Sequence, residues 1–223
     1  MNETWQRYLA EMLGTFVLVF VAAGSVLTNY LGGGSLGTVG VALATGFTLA
    51  AMVYATWYIS GAHLNPAVTV AMWATGQTKL VPAVMYIVSQ LVGAVVAALF
   101  IKVIYTTVSP QFFLGDAMLG NGVTPGMGIL IEALLTFFLV WTFFATIMDK
   151  RAAPGFGALA LGLVLAVGIM IGGNFTMGAL NPARSFGPAL LSSHWENHYV
   201  FWVGPVLGAL VAGFSHHYLL RKR

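Results

Sequence analysis

The chain has 223 residues and no cysteine. That absence excludes a disulfide framework, thiolate metal ligands and thiol nucleophiles. It also leaves thiol-directed mercurials nothing to attack. Charge is almost as scarce: 7% of residues are Asp, Glu, Lys or Arg, where a soluble domain carries about 25%. A surface so poor in charge faces lipid rather than water. The net charge of +3 comes from few residues, too few for a nucleic-acid surface. The basic residues cluster at chain ends and turns, where they meet anionic lipid headgroups. What fills the chain instead is 59% hydrophobic residues, with a mean hydropathy of +0.88.

Spanning a bilayer core takes about 20 apolar residues as helix. Six segments qualify, at 8–30, 39–59, 82–105, 127–148, 156–173 and 199–219. Ala22-Ala23-Gly24 has the composition of a cleavage site, but the apolar run continues past it. The first segment therefore reads as a span rather than a removed signal. Small residues recur at four-residue spacing: Ala10/Gly14, Ala42/Gly46/Ala50, Ser89/Gly93/Ala97, Gly168/Gly172 and Gly204/Gly208. In lipid such stripes let helix backbones approach closely, so the spans form a tight bundle. Arg7, Lys79, Lys150, Arg151 and the tail Arg221-Lys222-Arg223 fall on one side if six spans are crossed, with Lys102 on the other. The positive-inside rule then puts both termini in the cytoplasm.

Asn-Pro-Ala occurs twice, at Asn65-Pro66-Ala67 and Asn181-Pro182-Ala183, in the frames Gly61-Ala62-His63-Leu64-Asn65 and Gly178-Ala179-Leu180-Asn181. The first and fourth spans also match: Glu11 and Glu132 each precede a Thr-Phe pair, Thr15-Phe16 and Thr136-Phe137. The glutamates are separated by nearly the same offset as the asparagines. One unit of three spans has been duplicated, with a first repeat of about 1–110 and a second of about 120–223 in a single domain of 1–223. An odd number of spans per unit inserts the second copy upside down, which places functional groups near the midplane on interrupted helices. Residues 106–126 form the connector.

Each tripeptide follows a span and precedes a short apolar run, 67–75 or 183–191. About nine helical residues rise only ~14 Å, half of the ~30 Å hydrocarbon core. Asn is a favoured N-cap and Pro a favoured first helical residue. The pattern predicts two re-entrant half-helices that meet near mid-membrane, because backbone at that depth must be buried or line a cavity. Two helix N-termini then bring their positive ends together. Each asparagine caps with its oxygen and offers its NH2 donors to the lumen. A water there points its oxygen at both asparagines and turns its hydrogens outward, which breaks a proton-hopping chain, and the same field opposes cations. Channel selectivity of the aquaporin type is explained in these terms.

These residues carry a resemblance to the major intrinsic protein (aquaporin) family over essentially the full length of the chain. The specific motifs are Ser60-Gly61-Ala62-His63-Leu64-Asn65-Pro66-Ala67-Val68-Thr69 and Gly178-Ala179-Leu180-Asn181-Pro182-Ala183-Arg184-Ser185-Phe186-Gly187-Pro188, with the repeated Glu-x-x-x-Thr-Phe. The resemblance implies an all-α membrane protein with six transmembrane helices, two half-helices, a pore in each subunit and a homotetramer. It also implies a passive channel with no catalytic chemistry, cofactor or nucleic-acid partner, multi-pass in the plasma membrane. Arg184 is then the fixed cation of the outer constriction. An arginine near membrane depth costs on the order of 3 kcal/mol on insertion scales, so it needs a wet or paired environment. Counting back from the asparagines as the family does gives Thr45, Ile169 and Gly178 as the other filter positions. Strict water channels typically carry Phe and His at the first two, and glycerol channels bulky aromatics. A filter of Thr45, Ile169, Gly178 and Arg184 is wider, and it opens the way to ammonia, hydrogen peroxide, urea or glycerol beside water. Ser185, Ala189 and Phe201-Trp202 resemble the water-channel side of the family instead.

Glu11 and Glu132 lie inside spans, as acceptors for re-entrant backbone or as functional carboxylates. His63 lines the cytoplasmic half of the pore or holds its loop. His194 and His198 share a face if that stretch is helical, but no third metal ligand accompanies them. His216-His217 read as an interfacial anchor, and Trp5, Trp195 and Trp202 as headgroup-belt residues. Three competing classes remain. A glycerol facilitator fits the filter, and a closed junctional protein fits the fold. A coupled transporter needs a titratable midplane site, where this chain offers neutral asparagines.

Overall fold

A computed structural model describes residues 4–108 and 110–220, so the basic tail 221–223 lies outside the described residues. Eight α-helices run in order: α1 Thr4–Leu31, α2 Gly37–Ser60, α3 Pro66–Ala74, α4 Leu80–Ile104, α5 Pro125–Phe143, α6 Gly157–Gly172, α7 Pro182–Ser192 and α8 Val200–Phe214. A wider turn prolongs α5 to Met148 and another prolongs α8 to Leu220. No strand occurs among the described residues.

Five of these helices, with the extensions counted, are long and apolar enough to cross a membrane. The remaining expected span, 156–173, coincides with α6 to within one residue at each end. α6 has 16 residues, about 24 Å of helix, because the chain leaves the helix at Gly173 for the turn that carries the second tripeptide. α3 and α7 are the two short helices, of 9 and 11 residues. Outward faces are apolar: Val81, Val84, Val88, Val92 and Val103 on α4 and Val203, Leu207 and Val211 on α8 are exposed. A face of this kind is solvated by lipid chains.

The helices pack as a pair of related halves. α1 lies on α4 as α5 lies on α8, α7 lies on α4 as α3 lies on α8, and α2 crosses α6 between them. Glycine makes the closest of these contacts. A Cβ added to Gly93 of α4 would stand 2.2 Å from the Met12 carbonyl oxygen, and one on Gly208 of α8 would stand 2.0 Å from that of Ala133. Met12 and Ala133 each follow the repeated glutamate. The stripes at Gly46, Gly93 and Gly204/Gly208 are therefore helix–helix seams, as in other membrane bundles, whereas Gly14 and Gly168 face the loop residues Leu64 and Leu180.

The connector folds back over one end of the bundle. Lys102 donates to the Leu191 carbonyl at 3.3 Å, at the C-terminal end of α7, where a cation is favoured. At the other end the loop after α5 meets the last helix. Arg151 pairs with Asp149 and donates to the Leu220 carbonyl. Those hydrogen bonds hold the Asp149 carboxyl well below the usual carboxylate range.

Candidate channel and its constriction

Asn65 and Asn181 each make the same two side-chain contacts, with the loops exchanged. Each has an extended backbone and precedes a proline at the first helical position. Asn65 Oδ1 accepts the Ala67 amide at 2.8 Å, and Asn181 Oδ1 accepts the Ala183 amide at 2.9 Å. Across the contact, Asn65 Nδ2 donates to the Leu180 carbonyl at 2.8 Å and Asn181 Nδ2 to the Leu64 carbonyl at 2.9 Å. The half-helices thus meet at their N-terminal tips. One detail differs from the sequence expectation. Each amide spends one of its two N–H donors on the opposite loop, so one per asparagine remains for the lumen. Pro66, Ala67, Pro182 and Ala183 are buried behind them.

The loops that carry the asparagines are held from behind. Glu11 Oε1 accepts the His63 amide at 2.9 Å and the Ser60 hydroxyl at 2.7 Å. Its Oε2 accepts the Leu64 amide at 2.7 Å and Gln90 Nε2 at 2.8 Å. Glu132 accepts the Ala179 and Leu180 amides at 2.9 and 2.7 Å. Both carboxylates are fully buried, and neither lines the channel. Irregular backbone inside a bilayer needs such acceptors, since no water reaches it.

Backbone conformation aligns the two loops residue by residue. Counting back from each asparagine, φ is positive at the first, third and fourth positions: Leu64, Ala62 and Gly61 in one loop, Leu180, Gly178 and Met177 in the other. Gly178 therefore corresponds to Ala62, and the counterpart of Gly61 is Met177. The frame that pairs Gly61 with Gly178 is off by one, because the shared Gly-Ala lettering skips His63, which stands between Ala62 and Leu64 where Leu180 follows Ala179 directly. Gly178 has its own reason to be glycine. A Cβ there would stand 2.7 Å from Ile169 Cα.

One cavity runs past both asparagines. His63, Asn65, Asn181, Thr45, Ile169, Gly178 and Arg184 line it together with apolar side chains that include Val53, Leu49, Phe143 and Leu165. The polar atoms come chiefly from the two loops and the apolar wall from the helices. Sequence reading missed that apolar wall, because those residues resemble lipid-facing ones in isolation. Thr45 donates its hydroxyl to the Val41 carbonyl at 2.9 Å, so its donor is turned into the helix. Phe47, two residues on, is exposed on the outer surface. His63 Nδ1 sits 3.1 Å from the Thr69 hydroxyl, and its ring lies edge-on to Tyr86 and Phe143.

Arg184 is 6% exposed and donates from Nη1 to the Gly115 carbonyl at 2.8 Å. Sequence reading did not find this partner. The signal lay in the connector, where Phe113, Leu114 and Gly115 have positive φ in succession. A Cβ on Gly115 would stand 2.5 Å from the Ala23 carbonyl oxygen. The neighbouring Asp116 is buried and 2.9 Å from His194 Nδ1, and the His194 ring stacks on Phe113. Burial pushes the Asp116 carboxyl up, against the opposing pull of His194 and Arg184. Residues 194–199 form no helix, with turns at 196–199, so the two histidines share no helical face. His198 accepts from Trp202 Nε1 at 3.1 Å, and burial lowers its pKa. His216 packs against Trp141 and Phe144. Trp5 and Trp195 are exposed.

The comparisons agree with this geometry. The family model described as Major intrinsic protein matches residues 1–216. Aquaporin TIP4-4 of Zea mays is 41% identical over 214 residues, 93% of this chain and 84% of its own length. Aquaporin-4 of Homo sapiens is 39% identical over 223 residues, 96% of this chain and 67% of its own. An X-ray structure of the aquaglyceroporin from Plasmodium falciparum superposes with a TM-score of 0.84 at 24% identity, covering 98% of this chain and 97% of the other; at that identity it speaks for the fold. The protein is an integral multi-pass membrane channel and not an enzyme, and the chain belongs to the major intrinsic protein family.

Proposed function

We propose that the chain is a water channel that also admits small neutral solutes and excludes protons and ions. The observation that carries this reading is the reciprocal pair of asparagine amides on a single cavity lined by His63 at one part and Arg184 at another. Each asparagine has one N–H to spare for a passing oxygen. The two helix tips beside them supply partial positive charge, so a cation meets repulsion where a neutral molecule finds donors. Asn65, Pro66 and Ala67 with Asn181, Pro182 and Ala183 form the central contact in this reading. Thr45, Ile169, Gly178 and Arg184 form the filter, His63 lines the pore, and Glu11 and Glu132 hold the loops.

Solute range follows from the filter. No aromatic ring stands among its four residues, and the Thr45 hydroxyl is occupied within α2. Ammonia, hydrogen peroxide, urea and glycerol are the candidate solutes. The chain acts as one domain of two inverted repeats, about 1–110 and 120–223. It assembles as a homotetramer in the lipid bilayer of the plasma membrane, with both termini cytoplasmic.

Reconstituted vesicles test the reading. Under a sucrose step they should shrink faster than empty vesicles; equal rates would favour a closed junctional protein. Uptake of glycerol, urea and ammonia in the same vesicles defines the solutes. Thr45→Phe combined with Ile169→His should reduce every solute flux found, and an undiminished flux would refute the filter assignment. Uphill accumulation driven by a proton gradient would point to a transporter.

A further inference from the structure

Met177, like His63 opposite Ala179, breaks the likeness of the two re-entrant loops. It occupies the position of Gly61, and both are left-handed, with φ of 58° and 88°. Glycine adopts that conformation without steric cost, whereas a residue with a Cβ does so under strain. Strained residues persist where the surroundings over-determine them, and they cluster at working sites. In the first loop the position carries no side chain. In the second it carries a long, flexible thioether.

The placement of Met177 gives the strain a use. It lines the channel cavity, and it also lines a second hollow formed by the α1–α2 turn at Gly33 and Gly34 and by the connector at Phe112 and Asp116. Val26 is the other residue common to both hollows. Val26 and Met177 therefore stand where the channel cavity adjoins this outer hollow, and Met177 is next in the chain to Gly178. A Cβ at the corresponding Gly61 would stand 3.9 Å from the His63 ring, so this loop position directs its side chain along the channel wall.

We propose that Met177, which lines both hollows with Val26, is a specificity-determining residue: a soft collar that selects by size just outside a filter too small-sided to do so. The inference rests on the channel reading above. It assigns to Met177 the discrimination of three-carbon polyols and urea against water. An unbranched thioether suits this role because its torsions let it yield without leaving a rigid block.

Two variants test the collar in reconstituted vesicles. Met177→Gly installs the residue of the other loop and relieves the backbone, so it should fold. The ratio of glycerol to water permeability should rise on the order of ten-fold, the scale on which methylene-sized changes in a pocket discriminate. An unchanged ratio would overturn the proposal. Met177→Cys gives a unique thiol in a chain that has none. Benzyl methanethiosulfonate added from outside should block water and glycerol flux, and a reductant should restore both. Complete labelling without block would equally overturn the collar. Wild-type vesicles that pass no water would defeat the channel reading itself, and the collar with it. Wild-type water flux with an indifferent Met177 would defeat the collar alone.

Discussion

Gly46 of α2 and Gly162 of α6 lie backbone against backbone: a Cβ built on either would stand 2.4 Å from the carbonyl oxygen of the other. The two helices are the ones that carry Thr45 and Ile169. The spacing of this crossing therefore sets how far apart Thr45 and Ile169, two residues of the proposed filter, stand. Gly46→Val should drive the helices apart, with an overpacking cost of about 1–3 kcal/mol or more. Size-exclusion yield and thermal stability of the purified protein should fall sharply. Phe47→Leu, a change on the outer surface, should leave both near wild type. Equal tolerance of the two would show that the crossing is not tight.

The buried glutamates make a graded prediction. Glu11 receives four hydrogen bonds, and Glu132 receives two from backbone amides and one from the Thr176 side chain. Glutamine presents an NH2 to donors that need an acceptor, and each buried donor left unmade costs about 1–3 kcal/mol. Both Glu11→Gln and Glu132→Gln should lower the thermal midpoint, Glu11→Gln by more. A larger loss at Glu132 would mean that the number of hydrogen bonds accepted does not govern loop stability.

Arg184 is the sole buried basic side chain of Lys or Arg type among the described residues. Arg184→Val removes that charge and frees the Gly115 carbonyl. Proton or cation leak in vesicles carrying a pH-sensitive dye should rise above wild type while water still passes. Leak that stays at the wild-type level would assign charge exclusion to the helix tips alone.

Asp116 gives a pH test. Burial raises its pKa in the folded protein despite His194 and Arg184. The folded state thus binds this proton more tightly than the unfolded chain does. The resulting stabilisation is full below the ordinary carboxylate pKa, about 4, and is lost as pH rises through the raised value. Relative to wild type, Asp116→Asn should therefore gain thermal stability as pH climbs from about 4. A midpoint difference that does not change with pH would contradict this.

Much of the architecture was legible because its signals are local. Asn-Pro at the head of a short apolar run announces a capped half-helix, and α3 and α7 start at Pro66 and Pro182. The small-residue stripes announced the seams at Gly93 and Gly208. Other features depended on lettering that misleads. Gly61 and Gly178 look equivalent in the sequence, but their backbones are not, and the correct register puts Met177 opposite Gly61.

The sequence by itself determined the lipid-facing character, the duplicated unit, the capped half-helices and which residues were candidates for the constriction, since composition, caps and repeats act over a few residues. Only the tertiary structure decided which polar groups meet: Glu11 and Glu132 under the two loops, Asn65 and Asn181 each on the other's loop, Gly115 on Arg184. Hydrogen bonds are fixed by distance and direction across the folded chain, and separation along the sequence carries neither.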